Sequence, residues 1–100
     1  MAWQLRRYRI REGAMDAWIE EWSRHIRPLR ERLGFQVVGA WTAGVNEFVW
    51  ILRYEGPKTW AEADAAYYSS PERKAIEPNP ARHVEATEEL MMSPVVPPSS

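Results

Sequence analysis

Phe35-Gln36-Val37-Val38-Gly39-Ala40-Trp41-Thr42 and Glu47-Phe48-Val49-Trp50-Ile51-Leu52-Arg53-Tyr54 are two runs of strand-favouring residues, with the turn formers Gly44 and Asn46 between them. This hairpin decides the fold. Alternation along the second strand puts Phe48, Trp50, Leu52 and Tyr54 on one face and Val49 and Ile51 on the other. Neither face is polar. A sheet that is apolar on both sides needs a cover on each, and a chain of 100 residues has helices enough for one. A partner subunit is therefore predicted, although alternation alone does not say which face it would take.

Working outward, Trp3 to Ile10 reads as a first strand, with Tyr8 and Ile10 on one side and Leu5, Arg7 and Arg9 on the other. After Gly13 the period changes. Met15, Trp18, Ile19, Trp22, Ile26, Leu29 and Leu33 recur at helical spacing and predict an amphipathic helix of about five turns. Asp16, Glu20 and Glu21 lie in its first half and Arg24, Arg27, Arg30 and Arg32 in its second, the order a helix dipole favours. Pro28 must kink this helix or end its regular part near Arg27, because it has no N–H to donate. Gly34 is a natural stop.

Thr59-Trp60-Ala61-Glu62 has the capping-box spacing of a helix start, and Ser70-Pro71-Glu72 begins a further helical turn. Residues 81–92 fit a helix or a strand by local pattern. The preceding order of strand, helix, hairpin and helix leaves a place beside the first strand, which predicts a strand there. The chain thus reads as one domain over residues 1–92 and a disordered Pro/Ser tail over 93–100. Its class is α+β: a ferredoxin-like βαββαβ arrangement with an antiparallel four-stranded sheet and helices on one face.

Composition narrows the function classes. A formal net charge of −1 argues against a dedicated nucleic-acid binder, and the cluster Arg6, Arg7, Arg9 and Arg11 reads as a solvated strand row, with an anion site as the alternative. There is no cysteine, hence no disulfide, thiolate nucleophile or cysteine-held metal. No apolar run approaches the length of about 20 residues that a membrane span requires, and Met1-Ala2-Trp3-Gln4-Leu5-Arg6-Arg7 lacks the apolar block of a secretory signal. A cytoplasmic setting is expected, without a membrane or nucleic-acid partner.

Six tryptophans stand out in so short a chain. Tyr8, Trp22, Trp41 and Trp50 are the candidate lining of a small-molecule pocket between sheet and helices; their plainer role is core and subunit interface. Candidate catalytic groups are His25, Tyr67 and Asp64. His25 sits beside the apolar stripe, where it could serve as a base, as a haem ligand or as an ordinary boundary histidine. Tyr67 could hold a substrate anion. Asp64, a poor helix former one turn from Trp60 and Tyr68, either faces water or, if buried, needs a cation such as an arginine of the first strand. Two histidines without a spacing motif make no metal site, so no metal and no cofactor is assigned.

Leu5-Arg6-Arg7-Tyr8, Pro28-Leu29-Arg30, Gly34-Phe35, Val38-Gly39-Ala40-Trp41, Asn46-Glu47-Phe48-Val49-Trp50 and the segment from Ala65-Ala66-Tyr67-Tyr68 to Ser70-Pro71-Glu72-Arg73 together resemble the NIPSNAP family, over about Leu5 to Leu90. The resemblance implies the dimeric α+β barrel superfamily, in which two protomers set their sheets face to face and carry their helices outside. It carries over no catalytic motif. Relatives in that superfamily include cofactor-independent monooxygenases of antibiotic biosynthesis, haem-dependent enzymes and small stress-response proteins. The expected function is a small homodimeric protein of undefined activity, binding a small molecule or acting as an accessory. The alternative is a cofactor-independent oxygenase acting on an aromatic or polyketide-like compound, and a third reading, haem binding, rests on His25.

Overall fold

A computed structural model describes residues 1–98. Strand β1 (Ala2–Ile10) leads into helix α1 (Met15–Glu21), a turn of π-helix (Trp22–Ile26) and helix α2 (Arg27–Arg32). The hairpin β2 (Phe35–Ala43) and β3 (Glu47–Tyr54) follows, then α3 (Trp60–Ser69), the short α4 (Pro71–Lys74), a 3-10 turn (Pro80–His83) and β4 (Val84–Met92). The four strands form one antiparallel sheet in the order β2-β3-β1-β4, so the ferredoxin-like expectation holds and residues 84–92 are a strand beside the first. Ser93 to Pro98 run on without helix or strand, and the remainder of the expected tail lies outside the described residues.

One face of the sheet carries the core. Tyr8, Ile10, Phe35, Phe48, Trp50, Leu52 and Tyr54 pack against Trp18, Trp22, Ile26 and Leu29 of the first helical unit and Ala63 and Tyr67 of α3. Each such apolar side chain contributes roughly 1.5–3 kcal/mol on burial. The capping box at α3 forms as the sequence predicts, with the Glu62 N–H donating to Thr59 Oγ1 at 3.2 Å and the Thr59 N–H to Glu62 Oε1 at 3.0 Å.

Two local departures from regular periodicity change which side chains are buried. The Pro28 kink takes the form of the π turn: the Arg27 N–H reaches back to the Trp22 carbonyl, one residue further than in an α-helix. The extra residue shifts the phase of α2. Leu33, expected in the apolar stripe, is therefore 37% exposed, while Arg30, not among the residues of that stripe, is 1% exposed. In β2 the register slips between Val37 and Gly39. That bulge moves Trp41 off the face of Phe35 and Val37 and pairs it with Val49 on the opposite side. A Cβ at position 39 would lie 2.6 Å from the Trp41 ring, so glycine is required there for the indole to fold back over the strand.

Candidate functional site

On the helix-covered face, a cleft of about 270 Å³ lies between the β1 and β4 end of the sheet and the helices. Arg6, Tyr8 and Trp50 come from the central strands and Thr87 and Glu89 from β4. Trp18, Ile26 and Arg30 come from the first helical unit, and Tyr67, Tyr68 and Arg73 from α3 and α4. The volume lies below the usual range for a drug-sized ligand, about 300–1,000 Å³, and has room for a small molecule only.

The same alternation that buries Tyr8 and Ile10 turns Gln4 and Arg6 toward the helices. Arg6 is not part of the solvated row expected for the first strand: its side chain is 2% exposed, whereas Arg7 and Arg9 face outward. Its guanidinium donates from Nε to Tyr8 Oη at 2.7 Å, from Nη1 to Gln4 Oε1 at 2.8 Å and from Nη2 to Tyr68 Oη at 2.6 Å. Nη2 also lies 2.8 Å from Glu89 Oε2 at the rim. Burial works against the Arg6 charge, but the surrounding tyrosine oxygens and Glu89 more than offset it, and its pKa rises above the ordinary arginine value. Burial also pushes the Tyr8 hydroxyl up to about 12, with Arg6 opposing part of the rise, so Tyr8 stays a protonated donor at neutral pH.

Arg30 is the second buried cation. Its Nη1 donates to Asp64 Oδ1 at 2.8 Å, and its guanidinium carbon stacks 3.8 Å from the Tyr67 ring centroid. Burial raises the Tyr67 pKa, opposed by Arg30 and Arg73. Asp64 is thus half-buried rather than solvent-facing, and its cation comes from α2 rather than from the first strand. Among the described residues, Trp18 Nε1, Trp22 Nε1, Trp50 Nε1, Arg30 Nε and Arg73 Nε are buried without a hydrogen-bond acceptor, and all of these residues except Trp22 line the cleft.

Of the residues singled out in the sequence, Tyr8, Trp50 and Tyr67 meet in the cleft, and Asp64 reaches it through Arg30. Trp22 lies behind it in the core, edge-on to Phe48 and Trp50 at 5.1 and 5.4 Å. Trp41 is on the far side of the sheet and 52% exposed, a consequence of the β2 bulge. His25 is half-buried on the π turn and outside the cleft lining, so no imidazole is available there to hold a haem. No three His, Cys, Asp or Glu residues among those described are grouped to hold a metal ion. Sequence pattern does not single out Arg30, Tyr68 or Glu89 as site residues; Arg6 enters it only through the anion-site alternative to a solvated row, and the signal for its burial is its even spacing from Tyr8 and Ile10.

Among the described residues, no helix lies on the opposite face of the sheet. Leu5, Val38, Val49 and Ile51 are half-buried there, and Trp41 and Leu90 are more than half exposed. Trp3 is shielded in part by the Arg53 guanidinium, 5.3 Å from its ring. A hollow of about 410 Å³ runs between Trp3, Trp41 and Ile51 and the segment Met92 to Pro98. No helix of the structure is long and apolar enough to cross a membrane.

Comparison with solved structures places this fold among known ones. An uncharacterised NIPSNAP domain protein from Burkholderia xenovorans superposes with a TM-score of 0.83 at 19% identity, covering 99% of this chain and 100% of that one. A NIPSNAP family protein of unknown function from Agrobacterium tumefaciens gives 0.80 at 24% identity, covering 94% and 87%. A Nitrosomonas europaea protein named for the antibiotic biosynthesis monooxygenases gives 0.71 at 11% identity, covering 98% and 93%. At these identities the likeness is one of fold. Among curated proteins none matches by sequence. The NIPSNAP family model matches residues 3–97, and the chain belongs to the NIPSNAP family.

Proposed function

We propose that this NIPSNAP protein is a homodimeric small-molecule binder whose ligand occupies the cleft between β1, β4 and the helices. The observation that carries the reading is the burial of two arginines, Arg6 and Arg30, side by side with Tyr8, Trp50 and Tyr67 around a cavity. Buried cations cost several kcal/mol each to desolvate unless paired, and an apolar pair would fill the space more cheaply. Their presence beside a cleft fits recognition of a polar ligand better than stability. The dimer rests on the helix-free face, whose apolar side chains a second copy would cover. A cytoplasmic setting belongs to the same reading and fits a chain without cysteine.

The test is a fragment titration followed by NMR. Ligands of the cleft should shift the indole signals of Trp18 and Trp50 and leave that of Trp41 in place; a library that moves none of them removes the reading. A second reading, a cofactor-independent oxygenase of phenolic or enolisable compounds, is favoured by the Tyr8 and Tyr68 hydroxyls, which could hold an oxyanion. Dioxygen consumption on adding such a compound would distinguish enzyme from binder.

A further inference from the structure

We infer that the cleft is built for a small planar carboxylate, received by the Tyr8 and Tyr68 hydroxyls; the inference rests on the cleft being a small-molecule site and names its ligand class. Nε and Nη2 lie on one edge of the Arg6 guanidinium, the edge that commonly grips the two oxygens of a carboxylate. Here Nε meets a phenol oxygen, Tyr8 Oη at 2.7 Å, and Nη2 with its two hydrogens meets a second, Tyr68 Oη at 2.6 Å, and Glu89 Oε2 at 2.8 Å. A hydroxyl that accepts from a guanidinium has its own proton directed elsewhere and strengthened as a donor. Two such O–H groups held beside each other match the paired oxygens of a carboxylate, one hydrogen bond to each.

Charge sets the ligand at a single negative charge. Arg6, Arg30 and Arg73 bring three positive charges to the cleft, and Glu89 and Asp64 answer two of them. Shape sets it flat, because Trp18, Trp50 and Tyr67 form the walls and the volume is about 270 Å³. Glu89, on the same guanidinium at the rim and 41% exposed, competes with an incoming anion for Arg6.

Cinnamate and its neutral isostere cinnamamide separate charge from shape. Calorimetric titration should show cinnamate binding at least about tenfold tighter than cinnamamide, the discrimination expected of charge-assisted hydrogen bonds. Tyr68→Phe removes one hydroxyl from a half-exposed ring and should bring that ratio to about threefold or less; it also withdraws an acceptor from buried Arg6, so circular dichroism is recorded alongside to show that the variant stays folded. Glu89→Gln removes the competitor and should tighten cinnamate several-fold while leaving cinnamamide alone. Equal binding of the two compounds to the wild type overturns the carboxylate inference and leaves the cleft a binding site. Full discrimination in Tyr68→Phe overturns the hydroxyl assignment, and silence from both compounds at millimolar concentration removes the cleft reading as well.

Discussion

Both faces of the sheet around β3 carry apolar side chains, yet they have different fates. On one face Tyr8, Phe48, Trp50, Leu52 and Tyr54 are between 0% and 6% exposed beneath the helices; on the other Leu5, Val49 and Ile51 remain half-covered beside an exposed Trp41 and Leu90. Side-chain chemistry does not separate the two sets. What separates them is cover: one layer of helix serves one face, and the same hydrophobicity that stabilises the fold on that side is unspent on the other. The difference locates where a substitution acts: on folding for the covered face and, under the proposed dimer, on association for the open one.

Trp50→Glu is the most damaging test of that division. It forfeits about 3–5 kcal/mol of core packing before the buried charge is counted, against a total of about 5–15 kcal/mol for a domain of this kind. The variant should be unfolded by circular dichroism at room temperature. Ile51→Glu, one residue along the same strand, should keep native secondary structure and lose self-association, seen as a shift to single-protomer mass in sedimentation equilibrium. If both variants stay folded and sediment alike, the assignment of faces is wrong.

Much of this division is legible in the sequence, because alternation and helical spacing are properties of neighbouring residues. The Thr59 and Glu62 cap is of the same local kind. Trp41 escapes it, since a bulge near Gly39 reverses the parity of everything after it, and only the register with β3 reveals the slip. The cleft escapes it more fully. Arg6 meets Tyr68 and Arg30 meets Asp64 across 62 and 34 residues of chain, and a charged residue read alone is assigned to water. Burial of Arg30 depends in addition on the π turn, whose phase shift no regular helical count contains.

The charged pairs sharpen the comparison with chemistry held constant. Arg30 with Asp64 sits on the covered face, with side chains 1% and 23% exposed, and Arg7 with Glu47 on the open one, at 52% and 30%. Asp64→Ala strands a buried guanidinium and should cost about 3 kcal/mol in chemical denaturation. Adding Arg30→Met should recover most of that loss, because the stranded charge is what costs. Glu47→Ala, the same deletion in water, should leave the denaturation midpoint where it was. Equal effects from Asp64→Ala and Glu47→Ala would mean that the helices do not exclude water from Arg30.

The smallest expected effect concerns the seam where the cover is fastened to β4. Glu21, the last residue of α1, accepts from Arg82 Nη1 at 2.9 Å and Nη2 at 2.8 Å and lies 3.1 Å from His83 Nε2, joining the helix to the 3-10 turn that leads into β4. The hydrogen bonds from Arg82, aided by His83 and opposed by partial burial, lower the Glu21 pKa from its ordinary 4.5. A carboxyl more acidic when folded than when unfolded contributes its full stability above the unfolded value. That contribution is lost as pH falls through the lower folded value. Urea midpoints measured between pH 7 and pH 3 should therefore fall more steeply in the wild type than in Glu21→Gln, which has no carboxylate to protonate there. Parallel curves for the two proteins would mean that the seam is not closed in solution, and that the helices cover their face by packing alone.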